Sequence, residues 1–384
     1  MVYITQKQSP RFKQINLEDV MQGEINIRDA IIHDTTGTKT IVVDRVNDDI
    51  VIKADIPSMI NALYAFNVKY EELRNTDKKE LYNTYFIPKH SGGLRRIDDP
   101  LDNIREALYC LINIFNTRMG AQHLYHTSAF AYIKGRCAAD VSKKHQQNES
   151  KWFAKTDFTN FFGNTTQEFV VNMFSMIFPF SEIVKNKTGK EELEKALSLC
   201  FLNGGLPQGS PISPMITNIM MIPIDHYICN NLRDYNDNHF IYTRYADDIQ
   251  VSSRYDFSHE SIVDFVNSVL ATFNAPFAIN PKKTRYGSSS GRNWLLGVML
   301  NKDNEITIGH KKKKHFEAMI NNYTRDKLNK IYWDKQDVMH MNGLMSYYKS
   351  IENDYVERIL SEYSKKYNVN IRAIIKQDLK PCKL

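Results

Sequence analysis

Two short runs of strand-forming residues, Phe240 to Thr243 and Ile249 to Ser252, flank Tyr245-Ala246-Asp247-Asp248. Runs this close in sequence fold back on each other as a hairpin, which puts two adjacent carboxylates at its tip. Such a tip can hold a divalent metal in a solvent-accessible cleft. Alone, Asp-Asp is also ordinary turn chemistry. A metal site would need further carboxylates from elsewhere in the chain.

With 384 residues, the chain is long enough for two or three subdomains around sizeable cores. Hydrophobic residues make up 42% and aromatics 11%, which excludes a disordered chain. The formal charge of +6 permits an anionic partner such as nucleic acid without demanding one. Cys110, Cys137, Cys200, Cys229 and Cys382 form no CxxC pair, which argues against a zinc module and for reduced thiols in the cytoplasm. Met1 to Lys13 is polar, so no secretory signal is expected, and no apolar window is long enough for a membrane span.

Alternation predicts an N-terminal hairpin, Ile41-Val42-Val43 against Ile50-Val51-Ile52, turned by Asn47-Asp48-Asp49. Ser58 is predicted to cap a helix through Phe66. From Tyr85 onward short strand-like pieces alternate with helical stretches such as Leu101 to Asn116 and Thr166 to Ile177. Lys185 to Lys195 reads as a surface helix. Phe316, Met319, Ile320 and Tyr323, then Leu344, Tyr347, Tyr348 and Ile351, fall at helical spacing and predict a C-terminal bundle. Patterning alone thus gives an α+β chain with a helical end.

Nucleotide transfer from a triphosphate uses two divalent ions roughly 4 Å apart, held by carboxylate and main-chain oxygens. A third carboxylate must come from another strand. Ala154 to Phe162 offers Asp157 at the end of a strand-like run, although Asp157 alone reads as a helix N-cap rather than a metal ligand. Gly204-Gly205-Leu206-Pro207-Gln208-Gly209-Ser210-Pro211 makes a rigid loop whose backbone can approach a base pair, with Ser213 or Pro214 opening a helix. The run Lys311-Lys312-Lys313-Lys314 reads either as a phosphate-binding surface or as a solvated helix start.

These three segments resemble motifs A, B and C of reverse transcriptases, with the bacterial form of the last two in Leu206-Pro207-Gln208-Gly209 and Tyr245-Ala246-Asp247-Asp248. The resemblance extends from about Tyr85 to the end. Phe86 to Ile97 is similar to the family's fingers segment, which implies that Lys89 and Arg95 grip the triphosphate. Ala129 to His145 resembles the next fingers motif, and Trp294-Leu295-Leu296-Gly297 the primer grip. Ile279 to Thr284 resembles motif D, implying that Lys283 protonates the departing pyrophosphate. By position, Phe162 corresponds to the steric gate against a ribose 2′-hydroxyl and Gln208 to a contact with the incoming nucleotide or the template base.

The resemblance implies a right-hand polymerase: an N-terminal extension over 1–80, fingers over 81–150, palm over 151–300 with finger elements between the motifs, and a helical thumb over 301–384. It implies an RNA-directed DNA polymerase with two Mg²⁺ ions, or Mn²⁺, on Asp157, Asp247, Asp248 and the Phe158 carbonyl. Template RNA, dNTPs and a DNA product are the partners, with room for a homo-oligomer and none for a membrane. Retron enzymes share Ile279 to Thr284 and Gly343 to Tyr348 but carry NAxxH and VTG motifs, where this chain has Val141-Ser142-Lys143-Lys144-His145 and Leu295-Leu296-Gly297. The chain ends at Leu384 with no Cys/His cluster, unlike group II intron proteins with their added regions. It resembles most the defence-associated and abortive-infection enzymes, which implies a dedicated structured noncoding RNA as template. A retron enzyme making RNA-linked DNA, an RNA-dependent RNA polymerase, a template-independent nucleotidyl transferase and an inactive RNA-binding scaffold are the alternatives.

Overall fold

The structure, a computed structural model, describes residues 30–35, 38–45, 48–89, 92–233, 239–289 and 294–379. Its contacts divide the chain into two units, 1–137 with 154–286 and 138–153 with 287–384.

The first unit opens with β1 (Ala30–Thr35), β2 (Thr38–Arg45) and β3 (Asp48–Ala54) in an antiparallel sheet. Ile41, Val42 and Val43 pair with Ile52, Val51 and Ile50, the register that alternation predicts. Asp48 and Asp49 pair with Arg45 and Asp44 instead of turning the chain, and Asn47 lies outside the described residues. The helix Ile56–Lys69 begins two residues before Ser58, because Asp55 is its cap and accepts from the Ser58 N–H (3.1 Å). An aspartate side chain at this position satisfies an N–H that the helix leaves unpaired.

β4 (Tyr82–Pro88) and β5 (Leu94–Pro100) form a two-stranded antiparallel hairpin. The helix Asp102–Thr117 places Ile104, Leu108, Leu111 and Phe115 on one fully buried stripe. Phe115 meets Phe180 edge-on at 5.4 Å and Phe174 at 6.3 Å, giving this core a centre of aromatic rings. The charged helix Lys187–Ser198 is exposed on one face only. Glu192 and Leu193 are buried, and Asn67 donates to a Glu192 carboxylate oxygen (2.6 Å), so the surface expectation holds for half of it.

A four-stranded sheet has the order β7 (Ile241–Tyr245), β8 (Asp248–Ser253), β6 (Trp152–Asp157), β9 (Arg285–Ser288). The helices Ser213–Met220 and Ile222–Arg233 carry Ile216, Ile219, Ile224 and Ile228 into the core.

The second unit contains the helix Ala138–Gln147, the small sheet β10 (Trp294–Leu295), β11 (Val298–Leu300) and β12 (Ile306–Thr307), and four C-terminal helices. These run over His310–Leu328, Lys335–Ile351, Asn353–Tyr367 and Ile371–Asp378. Phe316, Ile320, Tyr323 and Tyr348 of the predicted stripes pack with Val338, Met341, Val356 and Ile359 in one core, with Met319, Leu344 and Ile351 partly buried against it, whereas Tyr347 faces solvent. Among the described residues no helix is long and apolar enough to cross a membrane.

Candidate active site

Tyr245 pairs with Asp248, so the β7–β8 connection is the two residues Ala246 and Asp247. A two-residue hairpin that keeps the strands' twist needs positive φ in its loop, and Ala246 supplies it at φ 57°. That conformation is costly for a residue with a Cβ and persists only where its surroundings impose it. Behind the turn lies a buried polar network. Tyr242 and Arg244 share one face of β7, and both reach Asp225 in the first turn of the helix Ile222–Arg233. Arg244 donates to Asp225 through Nε (2.9 Å to Oδ1) and Nη2 (2.8 Å to Oδ2), and the Tyr242 hydroxyl adds a third bond (2.7 Å). The remaining arm of Arg244 donates to the Ala246 carbonyl (3.2 Å) and to Asn218 Oδ1 (3.3 Å). Arg244 and Asp225 are both fully buried, so each charge depends on the other.

Asp157 ends β6 and is not a helix cap; Asn160 occupies the position before the short helix Phe161–Asn164. The Asp157 carbonyl accepts from the Asn280 N–H (2.8 Å), and the Phe158 N–H donates to the Asp247 carbonyl (3.1 Å), joining the two carboxylate segments through their backbones. Beneath them Phe158 stacks on Phe161 at 5.3 Å, and Phe277 closes on both rings.

The carboxylates share one electrostatic neighbourhood. Burial raises the Asp247 carboxyl above the usual range, Asp248 and Asp157 push it further, and Lys283 opposes them. Lys283 pairs with Asp157 Oδ2, which raises its own ammonium pKa and keeps it protonated. Lys155 pairs with Asp248 Oδ1 at 3.1 Å. Among the described residues no three His, Cys, Asp or Glu side chains converge into a ready-made metal cage. Carboxylates held close need a cation between them, and here the two lysines supply the positive charge. Asp157 Oδ1 is buried with no hydrogen-bond partner. An orphaned carboxylate oxygen in such a setting fits a hard divalent ion, for which these three aspartates are suitable donors.

The other residues singled out from the sequence fall around this centre in part. Lys89 and Arg95 are exposed on the β4–β5 hairpin, Arg95 opposite Ile87. His90 and Ser91 lie outside the described residues. The Gln208 carbonyl accepts from the Asp98 N–H of β5 (2.7 Å), and the Leu206 N–H donates to the Phe162 carbonyl (2.9 Å). The glycine-rich loop is thus tied to both segments. A Cβ on Gly205 would collide with the Gly163 backbone, and one on Gly209 would stand 2.7 Å from the Asp98 carbonyl, so both positions require glycine. Phe161 is the core ring of its pair, leaving Phe162 half-buried.

In the second unit the lysine run divides. Lys312 reaches the Gly297 carbonyl and Lys313 pairs with Glu352 over the Tyr355 ring, whereas Lys311 and Lys314 are exposed.

Residues 87–316 match the family described as reverse transcriptase (RNA-dependent DNA polymerase). This chain belongs to the reverse transcriptase family. It is similar to the Retron Ec83 reverse transcriptase of Escherichia coli, with 27% identity over 297 residues, 73% of this chain and 86% of that one. It also resembles the Retron Mx65 reverse transcriptase of Myxococcus xanthus, with 20% identity covering 91% of this chain and 76% of its relative. A solved telomerase from Candida albicans, in complex with a fragment of telomeric RNA, aligns with a TM-score of 0.46 and 10% identity over 83% of this chain and 71% of that one. The reverse transcriptase is an RNA-directed DNA polymerase of mixed helix and antiparallel sheet, with RNA as template and DNA as product.

Sequence reasoning missed Lys155, Arg244, Asp225 and Asn218. The signal for Arg244 and Asp225 was a charge within an otherwise apolar run, which has to be paired if the run is buried.

Proposed function

We propose that this reverse transcriptase copies a dedicated structured noncoding RNA into DNA, using two divalent ions, in bacterial anti-phage defence. The observation that carries the metal assignment is the buried, unpartnered Oδ1 of Asp157 in the same field as Asp247 and Lys283. Asp157, Asp247, Asp248 and the Phe158 carbonyl would hold two Mg²⁺ ions, or Mn²⁺. Ions held there would supply Lewis-acid activation for the primer hydroxyl and positive charge for the leaving pyrophosphate.

The chain's own residues do the rest. Lys89 and Arg95, cations on a hairpin, grip the triphosphate. Lys283, kept protonated by Asp157, donates a proton to the departing pyrophosphate. The Phe162 ring rejects a 2′-hydroxyl, and Gln208 contacts the incoming nucleotide or its template base. Residues 81–150, 151–300 and 301–384 act as fingers, palm and thumb, with Lys311 and Lys314 on phosphates.

Purified protein given Mg²⁺, dNTPs and its co-purified RNA should make labelled DNA. The Asp247→Ala, Asp248→Ala double variant should make none, and equal incorporation by it sinks the metal assignment. The defence role predicts that cells carrying the wild type resist phage in plaque assays and cells carrying the double variant do not.

The similarity to enzymes named retron reverse transcriptases favours a second reading, in which the product is DNA linked to RNA. RNase treatment would then shift the labelled product on a denaturing gel. An unchanged mobility decides against it.

A further inference from the structure

The segment before Tyr132 runs alongside β7. Ala129 bridges Arg244 in parallel. The Arg244 N–H donates to the Ser128 carbonyl (2.7 Å), and the Phe130 N–H donates to the Arg244 carbonyl (2.9 Å). Arg244 also donates through Nη1 to the carbonyl of Ala246, the residue before Asp247 (3.2 Å). Asn218, which also holds Arg244, donates to the Ala131 carbonyl at 2.9 Å, so one buried amide serves both segments.

Beyond this anchor Tyr132 has φ 60°, the left-handed region. A bulky ring there is a genuine outlier, and such strain points to a use for the side chain. The ring is not spent on the core: Tyr132 is 60% exposed while Ala131 before it is 1% exposed. The loop is also held from its far side, where Arg136 donates to the His126 carbonyl at 2.7 Å and lies over the Phe130 ring. An exposed aromatic on a doubly anchored loop is presented, not loose. The buried Asn218–Arg244 link fixes where it is presented, because it holds both the carbonyl of Ala131, next to Tyr132, and the carbonyl of Ala246, next to Asp247. In keeping with that placement, the Asp247 and Tyr245 charges add to the burial that raises the phenol's pKa, and Arg95 opposes them.

We propose that Tyr132 is a nucleobase contact of the polymerase site, its ring forming the platform on which the incoming deoxynucleotide's base or the template base stacks. This rests on the reading of Asp157, Asp247 and Asp248 as the site of nucleotide transfer. Every base has a π-face, so the contact works with all four nucleotides and reads no sequence.

The test uses the full chain with poly(rA)·oligo(dT), dTTP and Mg²⁺. Tyr132→Ala and Tyr132→Asn remove the ring, and the asparagine tolerates left-handed backbone, which keeps the loop folded. Tyr132→Phe keeps the ring and removes the hydroxyl. Ring loss should weaken one ligand by about 5-fold to 100-fold, with Tyr132→Phe within about twofold of wild type. A higher KM for dTTP with unchanged template–primer Kd assigns the platform to the incoming base. A higher Kd with unchanged KM assigns it to the template. Wild-type values for both ligands in Tyr132→Asn, or equal losses in Tyr132→Phe and Tyr132→Asn, overturn the proposal. Failure of the wild type itself to make DNA would instead overturn the underlying reading of the site.

Discussion

The strand end that carries Asp157 rests on aromatic rings, whereas the turn that carries Asp247 and Asp248 rests on a buried ion pair. Phe158, Phe161 and Phe277 support the first by shape and apolar area. Arg244 and Asp225, with Tyr242 and Asn218, support the second by directed hydrogen bonds. Packing is divisible, since a smaller ring or a shifted rotamer loses part of the area. A buried charge pair is not, because removing one partner strands the other in low dielectric. The two halves of one site should therefore fail differently.

The sharpest break is Arg244→Ala, which leaves Asp225 buried and unpaired and should cost about 3–5 kcal/mol in denaturant unfolding. Replacing both partners by apolar residues, Arg244→Met with Asp225→Leu, should recover most of that stability. Polymerisation should stay impaired in this double variant, because the Ala246 carbonyl has lost its donor. A single variant that costs under 1 kcal/mol would abolish the contrast. Gly205→Ala comes next: its Cβ meets the Gly163 backbone, and overpacking of this kind costs about 1–3 kcal/mol in the same assay. On the aromatic side Phe161→Leu should lose about 1.5 kcal/mol and keep measurable activity. A loss as large as that of Arg244→Ala would show that both supports are all-or-none.

The smallest effect concerns the turn itself. Asp247 has its carboxyl raised mainly by burial, so the folded state favours the neutral form and loses stability as pH rises through that raised value. In metal-free buffer Asp247→Asn should melt higher than wild type near pH 8, by about 2 °C. The gain should vanish at acid pH, where both side chains are neutral. A difference in melting temperature that does not change with pH would remove burial of this charge as its cause.

The carboxylates themselves were legible because chemistry constrains them twice, through residue type and through order along the chain. The hairpin around Asp247, the Ile41 to Ile52 register and the C-terminal stripes were also legible, since local periodicity determines them. What stands behind the site was not. Lys155 reads as one more surface lysine until β8 lies beside β6 and brings Asp248 to it. Arg244 and Asp225 become a pair only when a helix from one part of the chain covers a strand from another. The division of the lysine run has the same origin, since Glu352 and the Gly297 carbonyl are tertiary partners that no local pattern announces.

The sheet order also has a consequence for how the protein is made. β6 lies between β8 and β9, and both follow it by a long stretch of chain. A growing polypeptide emerging from the ribosome displays Asp157 on a strand with one edge bare until Ser253 has been synthesised and the other until Ser288. Local helices such as Asp102–Thr117 can form well before that, but the four-stranded sheet must wait for its most distant pieces. Its central strand is the first of the four to be synthesised and the last to acquire both neighbours. A nascent chain therefore lacks the completed sheet, and it exposes an edge suited to mispairing during that interval.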